Sequence, residues 1–100
     1  MTNYPTVTDN PKEATTYNGW ANYETWNISL YINNEYELYQ LACAYVRNMK
    51  ENHMQITYTD LISTLEDVAT TKTPDGVKWC SMKADLDELN EMLDELVDIN

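Results

Sequence analysis

The chain has 100 residues, 17 Asp and Glu against six Lys and Arg, and a formal net charge of −11 at pH 7, with 43% of positions hydrophobic and 11% aromatic. That is one domain's worth of chain, it buries roughly 60–70% of the surface its unfolded form would expose, and its apolar share is that of a sequence that folds. Direct binding to nucleic acid or to an anionic bilayer is excluded on charge: it needs a basic patch that releases counterions, no Lys/Arg cluster exists in the sequence, and the natural partner of this surface is basic.

In chain order, residues 1–18 mix Thr, Asn and two prolines without an apolar period and read as a flexible N-terminal arm, leaving 19–100 as the folded domain. Asn22 is a candidate N-cap, and Tyr23, Trp26, Ile28, Leu30, Tyr31 and Ile32 suit a short helix with a wide apolar face. Strand is the competing reading, because several of these residues are aromatic or β-branched. Asn33-Asn34 breaks the pattern, and Glu35 and Glu37 then favour the first turn of a second helix. Leu38, Leu41, Ala42, Tyr45, Val46 and Met49 follow at helical spacing, with Cys43 a small core residue on the same face.

Residues 51–56 form a connection containing His53, the one histidine. Thr57 and Thr59 are cap candidates for a third helix carrying Leu61, Ile62, Leu65, Val68 and Ala69. Pro74-Asp75-Gly76 marks a turn, and Val77-Lys78-Trp79-Cys80 reads as a short extended piece. Ser81 is positioned to cap a last helix whose Met82, Leu86, Leu89, Leu93 and Leu96 alternate at steps of four and three. The fold class expected is therefore mainly α, a small bundle of about four helices. The sequence leaves open whether the leucine seam is satisfied within one chain or in a homodimer.

A catalytic reading fails on inventory, and no catalytic, cofactor-binding or metal-ligating set is expected. One histidine in a polar connector, two glycines and two cysteines 37 positions apart provide no triad, phosphate loop or metal spacing. The acids after Asp85 superficially suggest a calcium loop, but the glycine its sharp turn requires is missing, and a pair of acids for glycoside chemistry would need one shared cleft. With no secretory leader and no apolar run near eighteen residues, the expected location is the cytoplasm, with reduced thiols.

The informative charge feature is the last helix, where Asp85, Asp87, Glu88, Glu91, Asp94, Glu95 and Asp98 occur without a single base. Asp87, Glu91, Asp94 and Asp98 fall in one row, where like charges repel by about 0.2–0.5 kcal/mol per pair, and those nearest the C-terminus also oppose the helix dipole. The row is either a solubilising face or a mimic of a phosphate backbone that occupies a Lys/Arg-lined groove. Trp20, Tyr23 and Trp26, with Leu30 and Leu41, read as core, or alternatively as aromatic anchors of an interface. Asn22, Glu24, Thr25 and Asn27 read as caps and helix-surface groups, while Tyr36 and Tyr39 suit a contact surface.

The segment Trp20–Tyr39, WANYETWNISLYINNEYELY, resembles the pattern W-x-NYETWN-x-x-L-W-I-x-N-D-x-x-LY of small proteins from bacteriophages, including cyanophages, and from mobile elements. Tyr31 stands where that pattern often has Trp, and Glu35 where it often has Asp. The resemblance implies a phage or mobile-element origin and carries no catalytic residue. Small acidic non-enzymatic phage proteins look, as a class, like inhibitors of host nucleic-acid machines. The expectation is therefore an anti-CRISPR-like inhibitor acting in the host bacterial cytoplasm on a basic complex such as a CRISPR effector. The alternative is a helical adaptor or self-assembling protein using its aromatic and leucine surfaces.

Overall fold

Asn22 does cap a helix, its side-chain Oδ1 accepting from the Thr25 N–H at 2.9 Å and from the Thr25 hydroxyl at 2.6 Å. The computed structural model describes residues 17–98; the rest of the arm read from the sequence, residues 1–16, lies outside the described residues, as do 99–100. Four helices follow: α1 Tyr23–Asn34, α2 Tyr36–Glu51, α3 Tyr58–Val68 and α4 Leu86–Leu96. The fold is mainly α, as expected, and the described residues contain no strand beyond two isolated β-bridges, Tyr17 with Trp20 and Lys72 with Lys78. Among the described residues, no helix is long and apolar enough to cross a membrane.

α1 runs through Asn33 and Asn34 instead of breaking there. Their side-chain amides fold back and donate to the Ser29 and Leu30 carbonyls one turn earlier, both at 2.8 Å, so the two residues bond within the helix and do not end it. The break falls at Glu35, whose extended backbone (φ −88°, ψ 118°) alone joins α1 to α2. α2 buries Leu38, Ala42, Cys43 and Val46. Thr57 caps α3, and Asn90 of α4 reinforces that end by accepting the Tyr58 N–H at 2.6 Å. α3 stops at Val68, so Val68 and Ala69 are exposed and not on the core face expected of them.

α4 touches all three other helices. Its Leu89 and Leu93 are fully buried with Ile28, Ile32, Val46, Leu61 and Leu65, each such side chain contributing about 1.5–3 kcal/mol of transfer free energy. The middle of the leucine seam is thus satisfied within one chain. Its N-terminal end is not on the core, Leu86 being 44% exposed and Met82 fully so, whereas Leu96 at the other end packs half-buried against it. Ser81 caps no helix either. The Lys83 carbonyl accepts the Asn22 side-chain amide at 2.6 Å, and the Asp85 N–H donates to the Thr25 hydroxyl at 2.8 Å. Residues 81–84 are therefore held as turns, and Asp85 becomes the cap, accepting the Glu88 N–H at 3.0 Å.

The tryptophan at the centre is Trp79, fully buried, with its indole N–H donating to the Thr70 carbonyl at 2.8 Å. The turn at Thr73–Gly76 delivers it: the Gly76 N–H reaches the Thr73 carbonyl at 2.8 Å, and Gly76 takes the left-handed φ of 91° that glycine favours. Val77 and Trp79 point inward while Lys78 and Cys80 are exposed, the alternation of the extended piece read from the sequence. Burial raises the Tyr58 hydroxyl above the usual tyrosine range, and it donates to the Trp79 carbonyl at 2.6 Å.

Thr25 and Asn27 are fully buried, not surface groups. Asn27 donates to the Asp75 carboxylate at 2.8 Å and accepts from the Thr73 hydroxyl at 2.6 Å, and Thr73 in turn accepts the Val77 N–H at 3.1 Å. Tyr31 joins the same carboxylate at 3.1 Å. The polar residues of NYETWN thus bind α1 to the turn at 73–76 and to the start of α4.

Candidate functional site

The carboxylates of the α4 region divide into two groups. Asp85 is half-buried as the cap, and half-buried Glu88 accepts the Ala21 N–H at 2.8 Å, so both hold the fold together. Asp87, Glu91, Asp94, Glu95 and Asp98 are exposed. The row is one residue shorter than expected, because Val97 turns to extended backbone (φ −130°, ψ 125°) and Asp98 lies beyond the helix. Asp87, Glu91 and Asp94 remain on it, successive members rising by about 4.5–6 Å along the axis.

The unfavourable placement of acids at the C-terminal end is relieved from α2. Half-buried Lys50 donates to the Asp94 carbonyl at 2.6 Å and to the Val97 carbonyl, and its amine lies 3.6 Å from the Asp94 carboxylate. One cation therefore covers two of the open carbonyls that a helix end presents. Lys50–Asp94 is the one ion pair among the described residues, so Asp87, Glu91 and Glu95 face solvent without a cation partner.

Beside this face stands an aromatic turn whose Tyr17 falls in the arm expected from the sequence and whose Trp20 reads from the sequence as core or, alternatively, as an interface anchor. Tyr17 and Trp20 exchange two backbone hydrogen bonds of 2.8 Å around Asn18 (φ 49°) and Gly19 (φ 88°). Positive φ at both central residues is the geometry an Asn-Gly pair favours, and that dipeptide was the signal in the sequence for this turn. Tyr17 and Asn18 accordingly belong to the folded unit and not to the arm.

The turn lays Tyr17 over Tyr23 and Trp26, with ring centroids at 5.3 and 4.8 Å. It also sets the half-buried Trp20 against α4, where Gly19, Trp20, Glu88, Glu91, Met92 and Glu95 line a groove of about 280 Å³. Tyr23 is 37% exposed and Trp26 and Leu30 are half-buried, so these three do not form the core as expected; Trp20 and Leu41 pack on its edge. The reason is helix periodicity: positions 23, 26 and 30 share the side of α1 opposite Ile28 and Ile32. Partial burial first, then the Asp75 carboxylate, raises the Tyr23 hydroxyl.

Tyr36 is 74% exposed, whereas Tyr39 is half-buried against the core, its hydroxyl raised by the neighbouring Cys43 thiol and by burial. Both lie on α2, so neither belongs to the carboxylate face of α4. His53 sits in the α2–α3 turn with a left-handed φ of 55° and is exposed. Cys43 and Cys80 are free thiols, the first buried and the second exposed. Among the described residues, no three His, Cys, Asp or Glu side chains converge to hold a metal ion.

These features define a small acidic all-α protein that exposes uncompensated carboxylates beside aromatic rings. The chain belongs to the DUF7249 family, a family of unknown function, whose model matches residues 13–99. No curated protein and no solved structure matches it.

Proposed function

We propose that this protein is a phage-encoded inhibitor that binds the basic groove of a host nucleic-acid-handling defence complex, a CRISPR effector in the first instance, in the host bacterial cytoplasm. The observation that carries this reading is the run of exposed carboxylates on α4 that have no cation partner among the described residues, Asp87, Glu91 and Glu95, continued by Asp94 and, past the helix end, Asp98. Their spacing of about 4.5–6 Å along a rigid helix suits lysines and arginines arranged for a phosphate backbone. The net charge of −11 adds long-range steering toward such a surface. The resemblance of Trp20–Tyr39 to phage and mobile-element proteins supports the setting.

The test is capture of partners from host lysate at low and high salt, with the wild type and with the charge-reversed variant Asp87→Lys/Glu91→Lys/Glu95→Lys. A basic nucleic-acid-binding complex should be retained at low salt, be displaced by added DNA or RNA, and be lost by the variant while its helical circular dichroism stays unchanged. Equal retention by the variant would sink the proposal.

The Tyr17–Tyr23–Trp26 cluster favours a second reading, an adaptor that docks through aromatic contacts. Such an interface would barely respond to ionic strength, whereas the carboxylate face should weaken steeply as salt rises.

A further inference from the structure

The groove between the Asn18-Gly19 turn and α4 differs in chemistry from the rest of the acidic face. Half-buried Trp20 lines it on the side of the turn, whose backbone is held by the paired Tyr17–Trp20 hydrogen bonds. Met92 lies within it, and Glu88, Glu91 and Glu95 form the other wall at steps of three and four along α4. Glu88 is fixed by the Ala21 N–H, Glu91 and Glu95 are exposed, and Lys50, the one lysine among the described residues that pairs with an acid of this helix, is engaged at its C-terminal end. A purely solubilising row of acids has no use for an aromatic wall, and a tryptophan serving only the core has no use for an open side.

An aromatic face opposite carboxylates suits a cation that is both planar and weakly hydrated. Guanidinium has those properties: it stacks on an indole and offers a fork of N–H donors to carboxylate oxygens. An ammonium is a compact, strongly hydrated charge that gains less from the ring. We propose that this groove receives an arginine side chain of the basic partner, stacked on Trp20 and bonded to Glu91 and Glu95. The proposal rests on the acidic-face reading above and names the side chain that this face selects.

Octa-arginine and octa-lysine, equal in charge, are the probes, titrated at low ionic strength into the isotope-labelled full chain while the indole N–H resonances and the affinity are followed. Octa-arginine should bind more tightly and shift the Trp20 indole signal. Trp20→Leu should weaken octa-arginine about two- to fivefold and leave octa-lysine unchanged, whereas Trp20→Phe should keep most of the preference. A helical circular dichroism spectrum of Trp20→Leu equal to that of the wild type reports that the variant is folded. Equal affinities for the two peptides in the wild type, or a preference that survives Trp20→Leu, overturn the arginine groove and leave the acidic face standing. Failure of both peptides to bind the wild type overturns the two together.

Discussion

Truncating Asn27 to alanine tests whether the NYETWN segment is a structural clamp. Asn27 is fully buried and bridges the Thr73 hydroxyl at 2.6 Å and the Asp75 carboxylate at 2.8 Å. Without it, the Thr73 hydroxyl, buried at 3% exposure, loses its acceptor, which costs about 1–3 kcal/mol. The bond to Asp75 adds about 1 kcal/mol and not the full value of a charged hydrogen bond, because Asp75 is exposed and regains water. The sum is about 2–4 kcal/mol out of a total stability on the order of 5–15 kcal/mol, or a Tm lowered by roughly 10–25 °C. Urea denaturation followed by circular dichroism measures it, within a double-mutant cycle against Thr73→Val. Because the two side chains share one hydrogen bond, the cycle should give a coupling of about 1–2 kcal/mol. A cost below about 1 kcal/mol for Asn27→Ala, or strict additivity in the cycle, would refute the clamp.

Two further outcomes follow from the geometry. The Tyr58 hydroxyl is held protonated by burial and by its bond to the Trp79 carbonyl, while the unfolded chain releases that proton near about pH 10. Its contribution is thus full below that pH and falls as pH rises beyond it, by at most about 1.4 kcal/mol per pH unit. Tyr58→Phe should flatten this decline in denaturation series run across the alkaline range, and an unchanged slope would contradict the assignment. Lys50→Met keeps the stem but uncovers the carbonyls of Asp94 and Val97. It should cost about 1 kcal/mol and speed amide hydrogen exchange in the last turn of α4; unaltered exchange there would mean that Lys50 does not cap the helix.

Much of the architecture was legible in the sequence because it depends on local chemistry. The apolar period of 36–50, the caps at Asn22 and Thr57 and the Pro74-Asp75-Gly76 turn each depend on a few neighbouring residues, and the structure realises all of them. The exposed acids of α4 were legible for the same reason: charge at helical spacing, on the side away from the leucines, remains in water.

What only the tertiary structure decided is how segments distant in the chain compete for the same groups. The period of Met82 and Leu86 favours a helix from Ser81, yet Asn22 and Thr25, some 60 positions earlier, bond Lys83 and Asp85 and move the start to Leu86. The same kind of long-range pairing turned Asn27 from a surface group into a buried clamp, put Trp79 in the centre in place of Trp20 and Trp26, and took Asp85 and Glu88 out of the free acidic face. Sequence alone determined that this chain is helical and acidic, since composition and period are additive along it. Which carboxylates stay free and which aromatic rings face outward depended on contacts across the fold, because a side chain's burial is fixed by what packs against it and not by its own hydropathy.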